Sequence, residues 1–338
     1  MPELLTPNML GFPAPRALDG VARKWEPDPS KYIGNVLLPE KNYPFTTVEW
    51  DELDPISGLT QAHNTASEPL TVAPRKRRKH SETSMFWKEK ARIEEPDILN
   101  VRALGSFDKL AGESLVMDKM QQLMLRLDAR IEQQRWGSMS GTLTVNENGI
   151  IRTISYTLLA TPTASPTWDD PASDPIADIQ AWAELMRGKT SGKPTIYYNY
   201  TVAKKLSNNE KVLDMVRGNN NVVRVGIGNV GNLIGELTGV ANFVLYDEGY
   251  LAEGSPPTFT PFIPDNTLYM VGVPPMGQPL GHFYATPSTH NGGFNPRPGR
   301  FFFPKDGLNE GNPYYDLFGG IYGVPALRFP ELILKATV

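Results

Sequence analysis

Residues 58–93 impose the tightest constraint on what this chain can fold into. The stretch has no apolar periodicity and carries the cation run Arg75-Lys76-Arg77-Arg78-Lys79. Short extended runs stand on either side, Leu70-Thr71-Val72 before it and Met85-Phe86-Trp87 after it. The pattern predicts a long two-stranded excursion with a charged turn region. A structureless loop of this length is foreign to a compact domain, but it makes sense if the segment lies on another copy of the chain. The run itself has three readings: a nucleic-acid or nuclear-localisation-like patch, a solvated loop, or one half of an interface. Glu68, Glu82, Glu89, Glu94, Glu95 and Asp97 flank it. Those acids favour the third reading, in which the five cations form an inter-subunit contact.

The segments around this excursion are easier to read. Six prolines fall before Ser30, so residues 1–35 are expected to form an arm without a long helix, either a disordered tail or an extension ordered by neighbours. Residues 36–53 turn strand-like, with Phe45, Thr46, Thr47, Val48 and Trp50 aromatic or β-branched. The strongest helix signal covers 107–135. There Val116, Met120, Leu123, Leu127 and Ile131 recur at spacings of three and four, with Ser106 as N-cap and Gly137 as stop. At roughly 1.5 Å per residue this helix is about 42 Å long. Its Met and Leu stripe is core packing, not a cofactor box. A hairpin follows over 141–156, turning at Glu147-Asn148-Gly149.

Residues 161–175 are rich in Pro, Asp and Ser and predict a domain boundary. A helix from Pro175 carries Ile176, Ile179, Ala183, Leu185 and Met186. A strand is expected over 195–198, helical stretches over 200–217 and 230–238, and strands over 242–246 and 267–273. Together these make an α/β or α+β unit of about a hundred residues. Residues 274–338 are expected to return as strands to the first domain.

Little in the sequence points to chemistry. Gly226-Ile227-Gly228-Asn229-Val230-Gly231 matches a dinucleotide fingerprint, with Val222–Val225 as a candidate strand and Asp247 or Glu248 as a candidate ribose ligand. No repeated strand–helix units surround it, so a glycine-rich surface loop is the better reading. His63, His80, His282 and His290 show no metal-ligand spacing. The carboxylate pairs Asp169-Asp170 and Glu94-Glu95 are adjacent and diverge in most backbones. With no cysteine, disulfide scaffolds and thiolate chemistry are excluded. The net charge of −4, from 33 basic and 37 acidic residues, argues against a dedicated DNA binder. No signal-peptide or membrane-spanning run is evident, which predicts a cytoplasmic protein.

Two phrases carry a resemblance. Glu40-Lys41-Asn42-Tyr43-Pro44-Phe45-Thr46-Thr47-Val48-Glu49-Trp50 and Pro264-Asp265-Asn266-Thr267-Leu268-Tyr269-Met270-Val271-Gly272 both resemble segments of lambda-type major capsid proteins of tailed phages, the capsid protein E family. Asp174-Pro175-Ile176-Ala177-Asp178-Ile179 resembles the opening of that family's inserted domain. The joint order over residues 36–338 resembles the Hong-Kong-phage (Johnson) capsid fold. The resemblance implies an α+β chain with an N-terminal arm and first strand (1–57), an extended loop over an adjacent subunit (58–93), and a peripheral domain (94–171) built on a spine helix at 107–135. An inserted axial domain (172–273) and return strands of the peripheral domain (274–338) complete it. It further implies a major capsid protein that self-assembles into the icosahedral head shell around double-stranded DNA. Such a protein has no catalytic, cofactor or metal site. Expected partners are copies of itself in pentamers and hexamers, scaffolding, portal and possibly decoration proteins, and packaged DNA bound without sequence preference; no membrane is involved. Its place is the virion, after assembly in the host cytoplasm. The alternatives are an encapsulin-like nanocompartment shell, or an enzyme using 172–273 to bind a nucleotide.

Overall fold

A computed structural model describes residues 12–13, 15–54, 68, 71, 77–100, 102–103, 106–107, 109–147, 149–217, 226–290 and 296–338. The described chain opens with helices α1 (Pro15–Lys24) and α2 (Gly34–Leu37), then strands β1 (Glu40–Asn42), β2 (Thr47–Leu53), β3 (Arg77–Thr83) and β4 (Met85–Glu94). Helix α3 (Glu95–Asn100) and the two-residue strands β5 (Arg102–Ala103) and β6 (Ser106–Phe107) lead into α4 (Lys109–Met139) and the hairpin β7 (Thr142–Glu147) and β8 (Ile150–Ser155). Next come α5 (Pro175–Met186), β9 (Thr195–Tyr198), α6 (Tyr200–Asn208), α7 (Glu210–Arg217), α8 (Val230–Thr238) and β10 (Asn242–Leu245). A second hairpin, β11 (Gly249–Ala252) and β12 (Thr258–Pro261), precedes β13 (Thr267–Val271). The chain then runs through β14 (Gly281–Ser288), β15 (Arg297–Pro298), β16 (Phe301–Gly307), β17 (Tyr314–Leu327) and β18 (Ile333–Thr337).

Two sheets organise these elements. In the six-stranded sheet β17 is central: β4 pairs along one edge, and β16 then β14 along the other, all antiparallel. β1 adds to β14 in parallel, and β15 pairs with its end. Helix α4 lies on this sheet because its stripe is apolar. Val116, Met120, Leu123 and Met124 pack with Phe302, Tyr315 and Leu317, while Leu127 and Ile131 meet Phe283, Ala285 and Ile321. The predicted stripe is buried throughout, but the predicted ends of the helix are wrong. Ser106 is in β6, and the helix passes through Gly137 to Met139. A Cβ on Gly137 would stand 2.7 Å from Leu143, so that glycine serves the approach of β7. The chain turns at Gly141, whose φ is +89°, the left-handed geometry typical just past a helix end. The 31 residues of α4 span about 46 Å.

The four-stranded sheet runs β10-β9-β13-β18, with β9 and β10 parallel and the rest antiparallel. Helices α5 to α8 cover it around Trp182, Val202, Leu206, Val230 and Ile234. Asp174 caps α5 by accepting from the Ala177 amide at 3.1 Å, ahead of Pro175. The helical stretch 200–217 divides because Asn209 stops α6 and its side chain accepts from Lys211 and Val212, starting α7 afresh.

Three further expectations differ. Residues 15–24 form a helix, since Pro15 stands at its first position, where a missing N–H costs nothing. Leu18 of that helix and Phe12 before it are buried beside Tyr315. Residues 1–11 of the expected arm lie outside the described residues. The link 161–175 is no free linker: Ala164 and Trp168 are buried in the second unit, and Trp168 donates to Asp178 at 2.9 Å. The last strand, β18, joins β13 rather than the first sheet, so residues 333–337 belong with the second unit.

Candidate assembly surfaces

The described part of the basic run, Arg77 to Lys79, lies in a strand, not a turn. β3 pairs antiparallel with β2, placing Trp50 opposite His80, Asp51 opposite Lys79, Glu52 opposite Arg78 and Leu53 opposite Arg77. Arg75 and Lys76 lie outside the described residues, as does the expected strand Leu70-Thr71-Val72 apart from Thr71. The other three cations point at acids of the same chain, diagonal and direct neighbours across the ladder. Lys79 Nζ stands 2.7 Å from Glu49, Arg77 3.7 Å from Asp51 and Arg78 3.6 Å from Glu52. The hydrogen bond that Lys79 donates to Glu49 raises the Lys79 pKa above its usual value. Arg78 also bonds the Thr157 hydroxyl.

Within one chain, Arg77, Arg78 and Lys79 do not meet the flanking acids. Their counter-charges are Glu49, Asp51 and Glu52, some twenty-five residues upstream in the sequence. The signal was present: two complementary charge runs, each on a strand-like segment. Glu89 instead pairs with Arg126 of α4. Residues 85–93, expected in the excursion, belong to β4 and hence to the six-stranded sheet.

The root of the β2–β3 arm is fixed from beneath. Val48, Trp50 and Leu53 are buried in the central core with Met85, Leu143, Ile154 and Tyr156. His80 stacks on Trp50 at 5.2 Å and bonds Glu52 at 2.8 Å. The outer side is open: the Arg77 and Lys79 side chains are 66% and 64% exposed. The two-stranded ladder therefore rests one face on the core and turns an exposed, internally charge-paired face outward.

Between the two sheets lies a buried polar joint on α4. Glu132 and Arg135 are fully buried. One oxygen of Glu132 accepts from the Gly34 amide at 2.7 Å, the Trp136 indole at 2.8 Å and the Tyr246 hydroxyl at 3.0 Å, while the other meets Arg135 at 3.3 Å. Gly34 is required here, since a Cβ would sit 2.7 Å from that carboxylate. Tyr246 also donates to the Lys31 carbonyl. Burial, then Glu132, pushes its phenol well above the usual range. Trp136 inserts among Tyr197, Tyr246 and Tyr269 at 5.4 to 5.7 Å. One turn earlier, Asp128 accepts from Trp25 and Arg300, and Arg300 reaches Glu40 at 3.2 Å. Burial opposes the charge of Arg300, but Glu40 and Asp128 more than offset it and raise its pKa. For Arg135 burial prevails over Glu132 and lowers it. No sequence signal marked this joint, because a lone Glu or Arg in a helix reads as surface.

The glycine motif divides between a turn and a helix. Gly226 and Gly228 lie on an open turn. Gly231 is inside α8, where a Cβ would stand 2.2 Å from the Tyr198 hydroxyl and 2.9 Å from Phe243. Its role is close packing of helix on sheet, not the loop role expected. Asp247 is engaged at the start of α6, accepting from the Tyr200 amide. The expected strand Val222–Val225 lies outside the described residues, as does His63. His282 and His290 sit among rings on the six-stranded sheet. Among the described residues no three of His, Asp and Glu gather as metal ligands, and no helix is long and apolar enough to cross a membrane.

Comparison with known proteins points one way. The sequence profile of the family "phage major capsid protein E" matches residues 16–338. No curated protein sequence matches the chain. Among solved structures, a phage-related protein of Bordetella bronchiseptica RB50 is 14% identical with a TM-score of 0.58, covering 95% of this chain and 96% of that one. A protein named as a capsid-protein candidate of a prophage in Escherichia coli CFT073 is 12% identical, with a TM-score of 0.55 and 99% of both chains covered. The capsid of a native GTA particle is 8% identical, with a TM-score of 0.54, covering 93% of this chain and 91% of that one.

Proposed function

This chain belongs to the phage major capsid protein E family, and from that premise we propose how its parts serve a head shell. It is a capsid shell protein of a tailed phage with the α+β Hong-Kong-phage capsid fold. The six-stranded sheet with α4 is the peripheral domain, and the four-stranded sheet with α5 to α8 is the axial domain that converges on symmetry axes. The β2–β3 arm and the residues between its strands form the extended loop laid on an adjacent subunit. The observation that carries this reading is the family match over residues 16–338.

The role is structural rather than catalytic. Copies of the chain pack as pentamers and hexamers, each contact modest and the lattice stable through multivalency. Scaffolding, portal and decoration proteins and packaged double-stranded DNA are the partners this role requires, with assembly in the host cytoplasm. Since Arg77, Arg78 and Lys79 are matched within their own arm, the inter-subunit contact of the run Arg75–Lys79 works by presenting a stiff, charged ladder to the neighbour. Arg75 and Lys76 stand next to it in sequence.

Purified protein, with and without co-expressed scaffolding protein, tests the reading by sedimentation and negative-stain microscopy. Closed particles, rings of five or six, or sheets are expected. A strict monomer at high concentration under both conditions would refute the shell role.

A further inference from the structure

Residues 247–261 leave the four-stranded unit at Tyr246 and return at Phe262. Both roots are buried, and their rings stack at 6.3 Å. Between the roots, β11 and β12 pair with each other and with neither main sheet. A lone two-stranded hairpin is marginal in water, so its resting position depends on what holds it. The Tyr250 ring packs beside Phe262 at the edge of the central core, and the hydrogen bonds that reach α4 are few. Arg126 donates to Glu253 at 2.7 Å while also gripping Glu89 of β4 at 2.5 and 3.1 Å, and Gln133 donates to the Tyr250 hydroxyl at 3.1 Å. The Arg126 and Glu253 side chains are 48% and 82% exposed. Between the hairpin and α4 lies an open groove of about 440 Å3 lined by Arg126, Ala129 and Gln133 on one side and Tyr250, Leu251 and Glu253 on the other. The outer side shows Leu251 opposite Phe259, 65% and 51% exposed.

We propose that residues 247–261 form a flap latched onto α4 by Arg126 and Glu253, with Tyr246 and Phe262 as fixed roots. The asymmetry of the attachments supports this. Both roots are dry, and Tyr246 is also held by Glu132, while the latch is wet and therefore weak and screened by salt. Arg126 loses little on release because Glu89 still holds it. The flap thus gives one chain two shapes at low cost. Its use in fitting non-equivalent lattice positions rests on the shell reading above; its existence does not.

The chain has no cysteine, so spin labels can be placed at will. Leu251→Cys on the flap and Leu125→Cys on α4 are both at exposed positions. Pulsed electron-spin distance measurement on the full chain reads the flap. Leu125→Cys with Leu237→Cys on α8 reads the position of the four-stranded unit. One dominant short flap distance is expected at low salt. Arg126→Gln, or Glu253→Gln should the first variant fold poorly, is expected to raise a longer-distance population about two- to fivefold, the range exposed ion pairs support. Raising salt from about 0.05 to 0.5 M should do the same in the parent and add little in the variants, while the control distance stays fixed. Distance distributions that ignore both the substitutions and salt would overturn the flap, as would equal movement of the control pair. Because the reading needs no assembly, an opening flap in a chain that forms no particles would sink the shell role alone.

Discussion

Glu132 concentrates more of the molecule's specificity than any other side chain on α4. It satisfies donors from the N-terminal segment, its own helix and the four-stranded unit at once, so its loss leaves the Gly34 amide and the Trp136 indole without an acceptor and the buried Arg135 without its carboxylate. Glu132→Ala is expected to cost about 3–5 kcal/mol, read as a fall in the urea midpoint at unchanged slope. A loss under about 1 kcal/mol would mean water refills the joint. His282 provides a pH handle. Burial holds its imidazole below the usual value, with Lys41 and Arg328 acting the same way and the Pro39 carbonyl opposing them. The folded state therefore takes up this proton less readily than the unfolded one. Stability should fall as pH drops through about 6.5, and His282→Gln should flatten that part of the profile. An unchanged slope in the variant would assign the dependence to other groups.

At the scale of elements, α4 and the β2–β3 arm behave oppositely. Met120 and Leu127 are 1% and 2% exposed, so Met120→Asp or Leu127→Asp buries an unpaired carboxylate and should cost several kcal/mol. Insoluble or unfolded subunit is the expected result. The arm's outer charges are solvated, so converting Arg77 and Lys79 to Glu sets like charges against the half-exposed Asp51 and Glu49 and leaves the buried Glu52 untouched. The far-ultraviolet circular dichroism of the subunit should persist while particle yield falls. Normal yield would show that the arm's charges play no part between subunits. Helix α8 yields a negative expectation. With Gly231 packed against Tyr198, calorimetric titration with NAD, NADP or ATP should give no specific heat, and micromolar binding would revive the enzyme alternative.

For the described molecule, the two sheets are joined by α4, its buried polar joint and an apolar core shared between Val324 and Leu327 on one side and Tyr197, Tyr269 and Ile333 on the other, with the β2–β3 arm and the hairpin at the margins. Rigid centre and adaptable edges are what a lattice of identical subunits in non-identical places requires. Particles are expected to be salt-sensitive in their formation, since exposed charge pairs are screened over about 8 Å at physiological ionic strength. Yield that is flat between low and high salt would place the lattice contacts in apolar surfaces such as Leu251 and Phe259 instead.

Periodicity and capping are local, and wherever they governed, the sequence alone determined the outcome. The stripe of α4, the Gly149 turn of β7–β8, the Pro175 start of α5 and the positions of β9, β10 and β13 all follow from residues within a few positions of one another. The family phrases added the fold class. What only the tertiary structure decided depends on partners far apart in the chain. The cations of β3 meet acids from β2 across a long connection, and β18 chooses β13 over the sheet it follows. Gly137 and Gly231 are glycines because Leu143 and Tyr198 approach them, not because the chain turns there. Glu132 and Arg135 are buried because two sheets close over the helix from either side. No local pattern encodes a neighbour two hundred residues away, so burial of a charge becomes visible only once the packing that causes it is in place.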